Sequence, residues 1–273
     1  MNPKSSLYII ISMVDRKLIK RGFEKSTPPY FPCPSCNGGL LVFEESKSAV
    51  KEQAWVKSAL NDPDFFSEWT KFNFSTLLKC SNSECGEHVA TSGEAAYEED
   101  HEVDENGFAY PVFTKYYRPL FFHPPLRLFI APAESPDEVK EALKASFALF
   151  FADAASSANH VRNCTEALLN SLGIKRYTRS KTKKLVRLSL HRRIELLPPK
   201  YKDSQTLLLA LKWLGNSGSH AGSEITQDDV LDAYEILEHL LTELFSTQKK
   251  KVSTLAKRIV KSKGPLKKRR DSR

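Results

Sequence analysis

Residues Ser135 to Gly173 read SPDEVKEALKASFALFFADAASSANHVRNCTEALLNSLG, and this stretch decides the fold of the chain's second half. Val139, Leu143, Phe147, Phe150, Ala154, Ala158, Val161, Leu168 and Leu172 recur mostly three or four residues apart, the spacing that gathers one face of an α-helix. Ser135-Pro136-Asp137-Glu138 has the form of a capping box with proline at the first helical position, and Gly173 supplies a stop. The spacing therefore predicts one helix from Pro136 to Gly173, about 55 Å long if unbroken. Three shorter helices follow. One carries Leu185, Leu188, Ile194 and Leu197 and is stopped by Pro198-Pro199. The next runs from Asp203 through Leu207, Leu211 and Leu214 to Gly215, read as a C-cap glycine. The last is opened by a second capping box, Thr226-Gln-Asp-Asp229, and carries Val230, Tyr234, Leu237, Leu241, Leu244 and Phe245. Short connections favour antiparallel packing of the four into a bundle.

Upstream, four of the five cysteines form two close pairs, Cys33-Pro-Ser-Cys36 and Cys80-Ser-Asn-Ser-Glu-Cys85, each followed by glycine. Two short thiolate loops are what a tetrahedral zinc ion takes, and four thiolates leave no open position for catalysis, so the expected cofactor is structural zinc. His88 is an alternative to Cys85 as the fourth ligand. Disulfides are the competing reading, disfavoured because no export signal is visible. Between the pairs, Leu40 to Phe43 and Phe72 to Leu78 read as strands, and Ser48 to Leu60 as a helix ended by Asn61-Asp-Pro63. This is a zinc ribbon with a helical insertion. Cys164 has no partner at ligand spacing and reads as a small buried residue on a helix.

The chain has 273 residues and a formal charge of +8, unevenly placed. Lys249 to Arg273 holds twelve Lys and Arg against one acid, a net of +11, which leaves the preceding body at −3. Lys249, Lys250, Lys251, Lys257, Arg258, Lys267, Lys268, Arg269 and Arg270 are candidate nucleic-acid contacts, because neutralising phosphates releases counterions whatever the sequence. Val252 to Ser262 has the spacing of a short basic amphipathic helix on a polyanion. Otherwise the tail is expected to be solvated and disordered. A second block, Glu94 to Glu105, carries seven acids and reads as a solvated loop, available to the basic tail when no partner is bound. With 41% hydrophobic residues the chain can bury a core. No run approaches the roughly 18 apolar residues of a membrane span, Leu7 to Val14 being the nearest, which points to a cytoplasmic protein that does not engage membranes. No P-loop, paired catalytic carboxylates or dinucleotide fingerprint is present.

The early Cys pair, Arg162 and Glu166 in Val161-Arg-Asn-Cys-Thr-Glu-Ala-Leu, and the turn Gly215-Asn216-Ser-Gly-Ser-His220 occur in an order that resembles an uncharacterised bacterial family, domain of unknown function 4145. The resemblance covers about Cys33 to Phe245, most specifically Ser135 to Phe245. That family is similar to the HEPN helical bundles, found in prokaryotic antiviral and toxin systems, often as metal-independent ribonucleases and often as dimers. Together with the reading of the residues, this gives a fold of the α+β class, mainly α: an N-terminal segment (1–30), a four-cysteine zinc ribbon with insertion (31–118), a proline-rich linker (119–134), a four-helix domain (135–247) that the resemblance makes HEPN-like, and a disordered basic tail (248–273). Asn216 and His220 fall on the polar and histidine positions of the HEPN nuclease motif, whereas its arginine position holds Gly215. Lys212, one helical turn before Asn216, and Arg162 are the substitute cations.

Two functions follow. The first is a nucleic-acid- or partner-binding protein of an antiviral defence or restriction-type system, with a homodimer or a defence-system protein as further partners. The second is a metal-independent endoribonuclease in which His220 moves the proton of a ribose 2′-hydroxyl while Lys212 or Arg162 stabilises the phosphate. The plainer readings are that His220 hydrogen-bonds its own turn and that Arg162 and Glu166, four residues apart, form an ion pair steadying the bundle. His160 and the His191-Arg192-Arg193 cluster are further candidate phosphate contacts, expected on solvated faces.

Overall fold

Strict alternation along Lys71–Cys80 turns Phe72, Phe74, Thr76, Leu78 and Cys80 to one face and Lys71, Asn73, Ser75, Leu77 and Lys79 to the other. In the computed structural model the first set is buried and the second exposed. The structure describes Arg16 and residues 22–24, 31–36, 38–217 and 225–264. Five antiparallel strands form its main sheet: β1 (Leu41–Phe43), β2 (Ala49–Glu52), β3 (Lys71–Cys80), β4 (His88–Val103) and β5 (Ala109–His123). β1 and β2 lie end to end along one edge of β3, with Leu41 opposite Cys80 and Glu52 opposite Phe72; β4 and then β5 follow on the other side. Phe23 bridges backbone to Tyr117 on β5.

The predicted helix over Ser48 to Leu60 is instead strand β2 followed by a single helical turn, α1 (Val56–Ala59). Val50, Lys51 and Glu52 find ladder partners in Phe74, Asn73 and Phe72, and such pairing overrides a weak helical pattern. The acidic block Glu94 to Glu105 is no loop: most of it lies in β4, paired residue for residue with β5, and only its end forms the connecting turn.

The single helix predicted from Pro136 to Gly173 is two, α2 (Asp137–Leu149) and α3 (Ala154–Ser171). Phe150 and Phe151 are both buried but serve different neighbours. The Phe150 ring packs at a tilt on Tyr234 in the helical half, centroids 5.8 Å apart, and the Phe151 ring centroid lies 4.8 Å from that of Phe122 of the sheet and 6.1 Å from that of Phe31. Leaving the helix lets consecutive rings meet both, and Asp153 then caps α3 by accepting from the Ser156 amide at 2.9 Å. Ser135 does not cap α2. The N-cap is Pro136, without a side-chain bond.

The helix predicted from Leu185 is likewise replaced. A β-hairpin, β6 (Tyr177–Arg179) with β7 (Leu185–Arg187), precedes a short helix, α4 (Leu190–Glu195), capped by Ser189. Arg193, expected on a solvated face, is buried. Its guanidinium donates to Asn170 Oδ1 at 2.7 Å and to the Ile174 carbonyl at 3.2 Å. α5 (Lys202–Ser217) and α6 (Gln227–Phe245) follow, the latter opened by the predicted reciprocal capping box of Thr226 and Asp229. The stretch expected either as a disordered tail or as an amphipathic helix over Val252 to Ser262 contains α7 (Thr247–Ser262), which ends where that spacing does and starts five residues earlier.

One hydrophobic core runs through both halves. Leu126, Leu128 and Phe129, from the proline-rich stretch after β5, are fully buried, and Phe129 packs on Phe147 and Tyr234. At the centre of the helices the Tyr234 hydroxyl meets Ser146 at 2.8 Å and Ser157 at 2.9 Å, joining α6 to α2 and α3.

Candidate metal centre and basic surfaces

The two cysteine loops hang on neighbouring strand ends. Cys33 donates its amide to Gly39 across the first loop, and Cys80 donates to Glu87 across the second. The Ser81 amide bonds Leu40, tying the loops together, and a Ser35–Glu87 side-chain bond links their outer edges. The thiol sulfurs of Cys33, Cys36, Cys80 and Cys85 all lie within 4.8 Å of one another, and all four cysteines are free. Sγ to Sγ is 3.6 Å for Cys36 and Cys80 and 3.8 Å for Cys33 and Cys85. Four sulfurs at about 2.3 Å from a tetrahedral metal stand about 3.8 Å apart, so the donor set fits such an ion. The Ser35 and Asn82 amides point at the Cys33 and Cys80 sulfurs at 3.4 Å. The Cys36 thiol is held below its ordinary value, chiefly by the Gly38 amide, while burial raises that of Cys80. At Gly39 a Cβ would fall 2.3 Å from the Cys80 sulfur, so this turn admits only glycine beside the cluster. His88 stands outside the cluster, exposed at the start of β4. Cys164 is fully buried on α3 and its thiol is pushed up to about 12 by burial.

Among the residues carried over from the nuclease motif, Arg162, Lys212 and Asn216 are described and half-buried, and His220 lies outside the described residues. Gly215 is not a C-cap. It sits buried within α5, where a Cβ would stand 2.7 Å from Arg162 Cβ and 3.1 Å from the Ala158 carbonyl oxygen. The absent side chain lets α5 press against α3 at Arg162, next to Asn216. Arg162 Nε lies 3.7 Å from Glu166 Oε1, and the other oxygen of Glu166 accepts from Arg187 at 2.9 Å. The Lys212 ammonium rests 3.4 Å from the centre of the exposed Trp213 ring. His191 and Arg192 both face Glu195.

On α7, Val252, Leu255, Ile259 and Val260 are exposed, as are Lys257, Arg258, Lys261 and, just beyond the helix, Lys263. Lys249, Lys250 and Lys251 belong to the same helix, though their side chains lie outside the described ones; Lys267, Lys268, Arg269 and Arg270 are outside the described residues altogether. A second basic element escaped the sequence reading. Lys175, Arg176, Arg179, Lys181, Lys183, Lys184 and Arg187 fall on or beside the β6–β7 hairpin, all exposed, with no acid between Glu166 and Glu195. A charge count over a short window would have found it, but summing the whole body cancelled it against the acids of β4.

Taken together, the chain is a mixed α/β protein with a curled antiparallel sheet, a four-cysteine cluster able to hold a metal, and a helical half that follows it. Residues 21–122 match the family model described as Domain of unknown function (DUF8608), and residues 144–260 match that described as Domain of unknown function (DUF4145). The second match supports the family named from the early Cys pair, Arg162 with Glu166, and the turn from Gly215 to His220. It begins inside α2 and takes in most of α7, whereas the cysteine pairs fall within the other match. No curated protein and no solved structure matches the chain. Among the described residues, no helix is long and apolar enough to cross a membrane.

Proposed function

We propose that this is a cytoplasmic nucleic-acid-binding protein of a prokaryotic antiviral-defence or restriction-type system. Structural zinc on Cys33, Cys36, Cys80 and Cys85 fastens the sheet, and the HEPN-like helical half carries the nucleic-acid contacts. The observation that carries the reading is α7. Lys257, Arg258, Lys261 and Lys263 are exposed, and among the described residues none of them forms an ion pair. Uncompensated cations along a helix are what a phosphate backbone neutralises. Binding of full-length protein to mixed-sequence nucleic acid is expected to fall by orders of magnitude between low and physiological salt, and to weaken sharply when Lys249 to Arg273 are removed. Binding that the deletion leaves unchanged would refute α7 as the contact. For the metal, elemental analysis is expected to find one zinc per chain, lost when Cys33→Ser and Cys36→Ser are combined; a folded, metal-free native protein would refute it.

A second reading, the metal-independent endoribonuclease, is favoured by Gly215. Where the nuclease motif has arginine this helix has a gap, and Arg162 of α3 stands beside it. Arginine from the facing helix then supplies the phosphate-binding cation beside Asn216, with His220 as the proton-transfer group. RNA cleavage without added metal, abolished by His220→Ala and by Arg162→Ala, is the expected result. Cleavage that survives His220→Ala would remove this assignment.

A further inference from the structure

We propose that the β6–β7 hairpin is a second nucleic-acid-binding element, one that takes single strands and leads them toward the Arg162 and Asn216 side of the helical half. This rests on the nucleic-acid reading of the protein but not on α7.

From Lys175 to Arg187 every residue except Ser180 is exposed, so the hairpin buries neither face. A two-stranded hairpin in water is marginal by itself, and one with both faces bare gains order from what it binds. Its chemistry is one-sided. Seven of thirteen residues are Lys or Arg and none is acidic, and among the described residues only Arg187 meets a carboxylate, that of Glu166. A cationic ribbon of this density matches a chain of phosphodiesters better than a folded protein surface of mixed sign.

Register decides how the ribbon is oriented. Tyr177 pairs with Arg187 and Arg179 with Leu185, so Tyr177, Arg179, Leu185 and Arg187 share one face. Because Arg187 reaches Glu166 on α3, this is the face next to the helix that also carries Arg162, one turn away. Tyr177 is 45% exposed on it, an aromatic surface open for stacking. Unpaired bases stack on such rings whatever their identity, and bases inside a duplex do not, which selects single strands. Lys181, Lys183 and Lys184 occupy the turn, with Lys183 at φ 61° and its amide bonded to the Ser180 carbonyl, so their charges extend beyond the paired strands.

The test uses full-length protein, with and without Lys249 to Arg273, and fluorescent single-stranded RNA, single-stranded DNA and duplex DNA over a salt series. The turn variant combines Lys181→Ala, Lys183→Asn and Lys184→Ala, asparagine being chosen because it accepts the left-handed conformation. Removing three phosphate contacts is expected to lower the slope of log affinity against log salt by about two, in both tail backgrounds. Tyr177→Ala is expected to weaken single-strand binding about fivefold or more, Tyr177→Phe to preserve it, and duplex binding to respond to neither. An unchanged salt slope in the turn variant overturns the proposal, and so does tighter binding to duplex than to single strands. So does equal binding of polyglutamate with the same slope, which would make the hairpin a dock for acidic proteins. If the turn variant loses binding and the tail deletion does not, the hairpin stands and α7 falls as the contact; if only the deletion loses binding, the reverse holds.

Discussion

A single methyl group at position 215 separates two arrangements of α3 and α5. In an exposed helix interior, replacing glycine by alanine gains about 1 kcal/mol. Here the added carbon would stand 2.7 Å from Arg162 Cβ and close to a backbone carbonyl, neither of which is a flexible side-chain end. Overpacking of this kind costs about 1–3 kcal/mol, so the balance is destabilising. Gly215→Ala is therefore expected to lower the urea midpoint; a stabilised variant would show that the helices part freely. The sequence cannot distinguish this glycine from a C-cap, because both roles need the missing side chain. Arg193 was illegible for a related reason. Its neighbours in the sequence, His191 and Arg192, are solvent-facing, and only the helix phase that buries Leu190 and Ile194 turns Arg193 inward to Asn170. The cysteines were legible because ligand spacing is local: each pair closes its own turn, and β1–β3 pairing does the rest.

At the scale of elements, the caps read well where they are reciprocal and poorly where burial competes. Thr226 and Asp229 bond each other as the sequence implies, whereas Ser135 is buried and leaves its cap position to Pro136. The break at Asp153 was hidden because apolar periodicity continues across it; what divides the helix is that Phe150 packs on Tyr234 while Phe151 packs on Phe122 of the sheet. Two carboxylates at helix starts are held below their usual range: Asp153 by the Ser156 hydroxyl and then its amide, Asp229 by the Thr226 hydroxyl and then its amide. A depressed folded value means stability present above the unfolded value of about 3.9 and lost as pH falls through the lower folded one. Stability is thus expected to decline as pH drops below about 4, and Asp229→Asn to flatten part of that decline in acid titration of the helical signal. The buried hydroxyls give another measurable effect. Tyr234→Phe removes the shared partner of Ser146 and Ser157, whose hydroxyls also bond one another's backbone carbonyls at 2.9 and 3.0 Å. Those remaining bonds limit the loss, so about 1–2 kcal/mol is expected by chemical denaturation, below the cost of wholly orphaned groups.

For the molecule as a whole, the near-neutral body is an average of opposites. Acids line β4, bases cover the β6–β7 hairpin, and the strongly basic C-terminal stretch is a third region. Charge blocks made the acids of β4 and the C-terminal stretch visible in the sequence, whereas the hairpin's bases were hidden in the net charge of the body, which records no position. The division into a metal-bearing half and a helical half has a similar limit, for the two share one core. Phe31 comes from the segment before Cys33, Phe122 from β5 and Phe151 from the break between α2 and α3, and the three rings pack with centroids 4.8 to 6.1 Å apart. Truncating the middle of such a contact costs about 3–5 kcal/mol, because the surrounding rings cannot collapse fully into the gap. If the halves unfold as one unit, Phe151→Ala lowers by the same amount, about 10 °C for a chain of this size, both the melting of helical circular dichroism and the temperature at which the four thiols react with a labelling reagent. A variant in which the helices melt early while the thiols stay protected would show two cores touching rather than one. Phe31→Ala, mutated from the metal side, is expected to reproduce the coincidence, which makes the test independent of any strain specific to the α2–α3 turn.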